Sequence, residues 1–90
     1  MRLDQFLKLS RLCPRRTLAQ KLCDAGLVLL NGQTAKPAHA VKAGDEITIQ
    51  RGQRDTLARV VAVPAGTNVS RRDALELIEV LSERQLESLE

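Results

Sequence analysis

Aromatic side chains are nearly missing from this chain: among its 90 residues Phe6 stands alone, with no Trp or Tyr. The core must then be built from Leu, Val, Ile and Ala. No platform is available on which splayed bases would stack, which argues against nucleic-acid recognition of the aromatic-sheet kind. Histidine occurs once, at His39, and cysteine twice, at Cys13 and Cys23. These three lack the close pairing of a structural zinc site, and neither a metal nor another cofactor is expected. No uninterrupted apolar run approaches the roughly 18 residues of a membrane span. The opening Met-Arg-Leu-Asp has no apolar core of the signal-peptide type. A cytoplasmic protein with reduced thiols follows as the expectation.

What the chain does contain is segregated charge. Its formal net charge of +3 conceals ten Lys and Arg against four Asp and Glu in residues 1–54, and four against seven in residues 55–90. Six of those cations fall before position 22, with Asp4 the single acid among them. A basic end of this kind points to a polyanion partner.

Apolar periodicity predicts an α+β chain. Leu3, Phe6 and Leu7 share one face of a short helix from about Arg2 to Ser10. Pro14 cannot continue it, and a second helix is expected to begin near Pro14, with proline in its first turn. That helix should present Leu18, Leu22 and Ala25 to the core and end at Gly26, a residue suited to the left-handed position. Leu27 to Leu30 and Gln33 to Ala35 flank Asn31-Gly32, a strong hairpin signal. Gly44 should supply the positive φ of a turn before a strand carrying Ile47 and Ile49. A further strand is expected over Thr56 to Val63. Ser70 followed by Asp73 marks a helix start. Residues 75–81 fit either a continuing helix or a strand paired with 56–63. Ser82 to Glu90 reads as a polar, fraying tail. The organisation expected is a basic unit over 1–54, a strand and short-helix extension of the same domain over 55–82, and a tail over 83–90.

Four segments in order carry a family resemblance: Met-Arg-Leu-Asp-Gln-Phe-Leu at 1–7, Arg-Arg-Thr-Leu-Ala-Gln at 15–20, Gly26 through the Val-Leu-Leu-Asn-Gly hairpin to Lys36-Pro37, and Val41-Lys-Ala-Gly-Asp-Glu-Ile at 41–47. Together they resemble the S-four RNA-binding domain, named for a small-subunit ribosomal protein. The resemblance implies the αL-motif fold, with two N-terminal helices packed on a small, mostly antiparallel sheet and a short C-terminal helix and strand extension. The chain's length makes it similar to two stand-alone bacterial branches of the family: one of ribosome quality control, the other of fifteen-kilodalton heat-shock proteins. The short acidic tail favours the first. That branch implies a factor on large ribosomal subunits obstructed by peptidyl-tRNA. It would contact rRNA and tRNA and support template-free tailing of the stalled chain, beside an elongation factor recruited to the same subunit. The second branch implies binding of free large subunits with nascent chains. Carried over by position, the RNA-binding residues are Arg2, Lys8, Arg11, Arg15, Arg16 and Thr17, together with Lys21 and Lys36. Gln5 and Cys13-Pro14 stand where relatives are often more basic, which lowers the positive potential.

Chemistry agrees with that surface. Arginine makes two parallel hydrogen bonds to one phosphate, and the start of the second helix offers free N–H groups beside Arg15, Arg16 and Thr17. The centre of the surface is expected at the Arg11–Thr17 corner around Pro14. Asp4 reads as a first-turn carboxylate that orients Arg2 or a neighbouring arginine, with no partner that would make it catalytic. No enzyme is expected. A regulator of a small structured RNA and a protein adaptor docking through the acidic half are the rival readings. The chain is expected to be monomeric off the ribosome.

Overall fold

A computed structural model describes residues 1–52 and 54–85 of the chain. Helix α1, Leu3–Leu9, buries Leu3, Phe6, Leu7 and Leu9. Its N-terminus is closed from outside the helix. Leu3 N–H donates to the His39 carbonyl at 2.7 Å and Asp4 N–H to the Pro37 carbonyl at 3.1 Å. The loop that follows the first hairpin thus satisfies donors that a helix leaves free.

Helix α2 spans Arg16–Asp24, with Arg15 as an extended N-cap residue. Two expectations are corrected here. Pro14 does not enter the first turn: the buried Cys13 donates its N–H to the Leu7 carbonyl at 3.0 Å, which holds the connection against α1 and delays the helix by two residues. The core-facing stripe is Ala19 and Cys23 with Leu22 partly buried, whereas Leu18 is half-buried and Ala25 exposed. Ala19 and Cys23 stand one turn apart on the buried face, and side chains this small are compatible with close helix packing. The C-terminus ends as expected. Gly26 takes φ +78°, and Leu27 N–H donates back to the Leu22 carbonyl at 2.9 Å. This is the hydrogen bond of a Schellman cap.

Five strands follow: β1 Val28–Leu30, β2 Gln33–Thr34, β3 Glu46–Arg51, β4 Arg54–Val60 and β5 Ile78–Gln85, with helix α3, Arg71–Ala74, before the last. They form one sheet in the order β2-β1-β3-β4-β5, every pairing antiparallel. Asn31 and Gly32, at φ +53° and +86°, make the first hairpin turn. Ile47 and Ile49 point to the core from β3, joined there by Val28, Leu30, Val60 and Leu77. Each such side chain contributes about 1.5–3 kcal/mol by leaving water.

In the C-terminal half the strand β4 begins two residues earlier than expected and stops at Val60. Residues 78–81 belong to a strand. Pairing with β5 satisfies the outward backbone groups of β4, which a helix in that place would leave open. The strand continues through Gln85, so Ser82–Gln85 is sheet and not fraying tail. The remaining stretch expected as tail, 86–90, lies outside the described residues. Ser70 caps α3, its Oγ accepting from Asp73 N–H at 3.0 Å, as the sequence predicts. No described helix is long and apolar enough to cross a membrane.

Candidate nucleic-acid interface

The two N-terminal helices meet over one buried carboxylate. Asp4 has no exposed surface. Its oxygens accept from Arg2 Nε at 3.1 Å and Arg2 Nη2 at 3.2 Å, from Arg16 Nε at 3.2 Å and from Gln20 Nε2 at 2.9 Å. The Gln5 backbone N–H donates to the same group at 2.8 Å. Burial by itself pushes the Asp4 pKa up. The hydrogen bonds from Gln20, Arg2, Arg16 and Gln5 outweigh it and lower the value to about 2. A charged carboxylate at neutral pH is thereby fixed in a dry position, with a charge-assisted bond on each side.

This network aims the arginines. The Arg2 and Arg16 side chains remain 47% and 43% exposed while one edge of each guanidinium is held on Asp4. Arg16 spends its Nε on the carboxylate and Arg2 its Nε and Nη2, so among the described residues further N–H donors of both are left to meet a phosphate. Two cations held at a set separation by one acid leave a net positive charge with little rotamer entropy still to lose. Sequence reasoning assigned Asp4 an orienting role. It missed Gln20, whose signal was its position one helical turn after Arg16.

The other candidate residues are spread around this centre. Lys8 and Lys21 are exposed in the last turns of α1 and α2. Arg15 and Thr17 are exposed at the start of α2, where no side chain caps the helix N-terminus. Lys36 lies by the other end of α2, lining a depression of about 270 Å³ with Cys23, Asp24 and Gly26. Arg11 follows α1 at φ +68°, a left-handed conformation unusual for a side-chain-bearing residue. It turns toward a groove shared with Arg51 and Arg54. Arg51, which the sequence reading passed over, donates to the Leu12 carbonyl and to Cys13 Sγ, tying the end of β3 to the turn between the helices. The arginines that share a partner are therefore Arg2 and Arg16 on Asp4. Of the Arg11–Thr17 corner, Arg16 belongs to that pair, and Arg15 and Thr17 are its chain neighbours on each side.

The cysteines take no part in the charged surface. Both are free and buried. Burial raises the Cys13 pKa, with Arg51 acting in the opposite sense. At Cys23 burial, followed by the negative field of Asp4, raises it to about 11. Each is a neutral thiol packed as a small apolar group.

A helical pair, a tight hairpin and a closing loop on an antiparallel sheet define a small S4-type module. The S4 domain model matches residues 1–47, and the chain belongs to the S4 domain family. Within that family its similarity runs over the whole chain. It is 42% identical over 90 residues to the RQC P-site tRNA stabilizing factor of Halalkalibacterium halodurans, covering all of both chains. It is 41% identical over 86 residues to the factor of the same name in Bacillus subtilis, covering 96% of this chain and 98% of that one. The fold also matches a trimeric structure of Vibrio cholerae Heat Shock Protein 15, with a TM-score of 0.80 at 28% identity, over 91% of this chain and 82% of that one.

Proposed function

We propose that this chain is a non-catalytic RNA-binding factor of ribosome-associated quality control. It stabilises P-site tRNA on large subunits obstructed by peptidyl-tRNA and contacts rRNA and tRNA backbone through Arg2, Lys8, Arg11, Arg15, Arg16 and Thr17, with Lys21 and Lys36. In this role it supports template-free tailing of the stalled chain beside a recruited elongation factor, and it is a monomer off the ribosome. The observation that carries the reading is the Arg2–Asp4–Arg16 arrangement: two half-exposed guanidinium groups held at a set separation suit phosphates on a folded RNA. Identity of 42% and 41%, over 100% and 96% of this chain, to two factors named for P-site tRNA supports the choice of ligand. Structured RNA hides its base edges in a deep groove, so recognition by shape and charge is the mode that fits an aromatic-poor surface.

Co-sedimentation with purified large subunits, with and without peptidyl-tRNA, tests the proposal. Binding should be stronger with the tRNA present. Neutralising about six phosphates should make log affinity fall against log salt with a slope of roughly −4 to −5. Arg16→Ala should weaken binding about tenfold, the loss of one charge-assisted phosphate contact. Salt-independent binding, or indifference to peptidyl-tRNA, would count against it.

A further inference from the structure

Beside the charged helical pair runs a groove of about 350 Å³. Its apolar side is aliphatic: Leu12 from the turn after α1, Leu75 after α3, and Ile78 and Val80 from β5. Leu75 is 73% exposed and Val80 51% exposed, although both stand next to other apolar groups. Leaving two large aliphatic side chains in water beside an open groove forgoes a burial gain that a ligand would recover. The other rim is basic, with Arg11, Arg51 and Arg54 against a single acid, Glu83, among the described residues. The groove also lies beside β5, the last strand of the sheet order, which has no described neighbour on its outer side.

We propose that this groove is a protein-docking site for a short acidic segment carrying a large aliphatic side chain. The aliphatic residue enters between Leu75 and Val80, and its neighbouring carboxylates meet Arg54 and Arg11. Charge complementarity selects acid over base: Arg11 and Arg54 line the groove, and Arg51, held on the Leu12 carbonyl and Cys13 Sγ, adds its charge from behind them. The aliphatic wall selects a side chain over a nucleobase, because the groove offers no aromatic ring for stacking. The arrangement is that of a small apolar anchor with a charged rim, the usual anatomy of peptide recognition. The site lies apart from the Asp4-centred pair, shares Arg11 with the proposed RNA surface, and is argued from its own lining and not from the RNA-binding reading.

The test is a backbone-amide NMR titration of the full chain with the blocked peptide Asp-Glu-Leu-Leu-Asp-Glu. Shifts should appear at Leu12, Arg54, Leu75 and Val80 while the amides of Asp4 and Arg16 stay still. Leu75→Glu and, separately, Arg54→Glu should each reduce the affinity at least tenfold, with far-UV spectra and melting temperature showing both variants folded. A peptide with lysine in place of every acid should bind at least tenfold more weakly. Absence of shifts at millimolar peptide overturns the proposal. So do equal shifts with the lysine peptide, or the same residues moving instead with a single-stranded RNA hexamer. Shifts at these residues on raising the protein concentration alone would assign the groove to a second copy and overturn it as well.

Discussion

Two sets of ion pairs in this chain place the same chemical groups in opposite surroundings. At the helical pair one fully buried carboxylate collects Arg2, Arg16 and Gln20. On the sheet, Arg59 lies 3.6 Å from Glu46 and 3.4 Å from Glu79, with every partner about half-exposed. The first set sets geometry; the second decorates a solvated strand. In water the attraction between two charges is offset by hydration and by the entropy of holding long side chains, so exposed pairs contribute little. A buried carboxylate has no such alternative, and its partners are obliged to stay. The contrast separates arginines held in a set geometry on the helices from an arginine on the sheet whose partners are themselves solvated.

Removing the centre should have the largest effect. Asp4→Ala is expected to lower stability by about 2–3 kcal/mol, through the loss of charge-assisted hydrogen bonds at a buried position. Urea unfolding at neutral pH measures this, and an unchanged midpoint would mean that the network is ornamental.

Acid should reproduce much of that loss without mutation. The folded pKa of about 2 lies below the ordinary 3.8, so the contribution is fully present above about pH 4 and disappears as the pH falls toward 2. A shift of this size corresponds to about 2 kcal/mol. Unfolding curves at descending pH should show the loss in the native chain and a much smaller one in Asp4→Asn.

Arg11 sharpens the comparison differently, since its cost is in the backbone. At φ +68° a side chain is disfavoured and glycine is not. Arg11→Gly should therefore raise stability by up to about 1 kcal/mol while weakening large-subunit binding. Thermal melting and co-sedimentation together would separate the two effects. A variant that lost stability would show that the arginine side chain offsets its own strain.

The smallest effect belongs to the exposed set. Arg59→Ala should change stability by no more than about 0.5 kcal/mol, and less in high salt. A loss comparable to that of Asp4→Ala would erase the distinction between the two sets.

Much of the fold was legible in the residues. Leu3, Phe6 and Leu7 repeat at helical spacing, Asn31-Gly32 demands a two-residue turn, Ile47 and Ile49 alternate, and Ser70 announces a cap. Each is a local signal with a local cause. The elements misread, left open or passed over depended on neighbours distant in sequence. Ala19 and Cys23 took the core in place of the larger Leu18 because the orientation of α2 against the core turns their face inward. Residues 78–85 became a strand because β4 had an open edge. Arg51 acquired its place at the turn between the helices only when β3 ended beside Leu12 and Cys13.

Composition and order therefore determined the basic N-terminal end, the α+β class, the S4 resemblance and the roster of cations. The tertiary structure alone decided which of those cations act together. A carboxylate's influence depends on its burial and on the donors that reach it from another helix. Asp4 and Gln20 are sixteen residues apart in the chain and 2.9 Å apart between their hydrogen-bonding atoms in space.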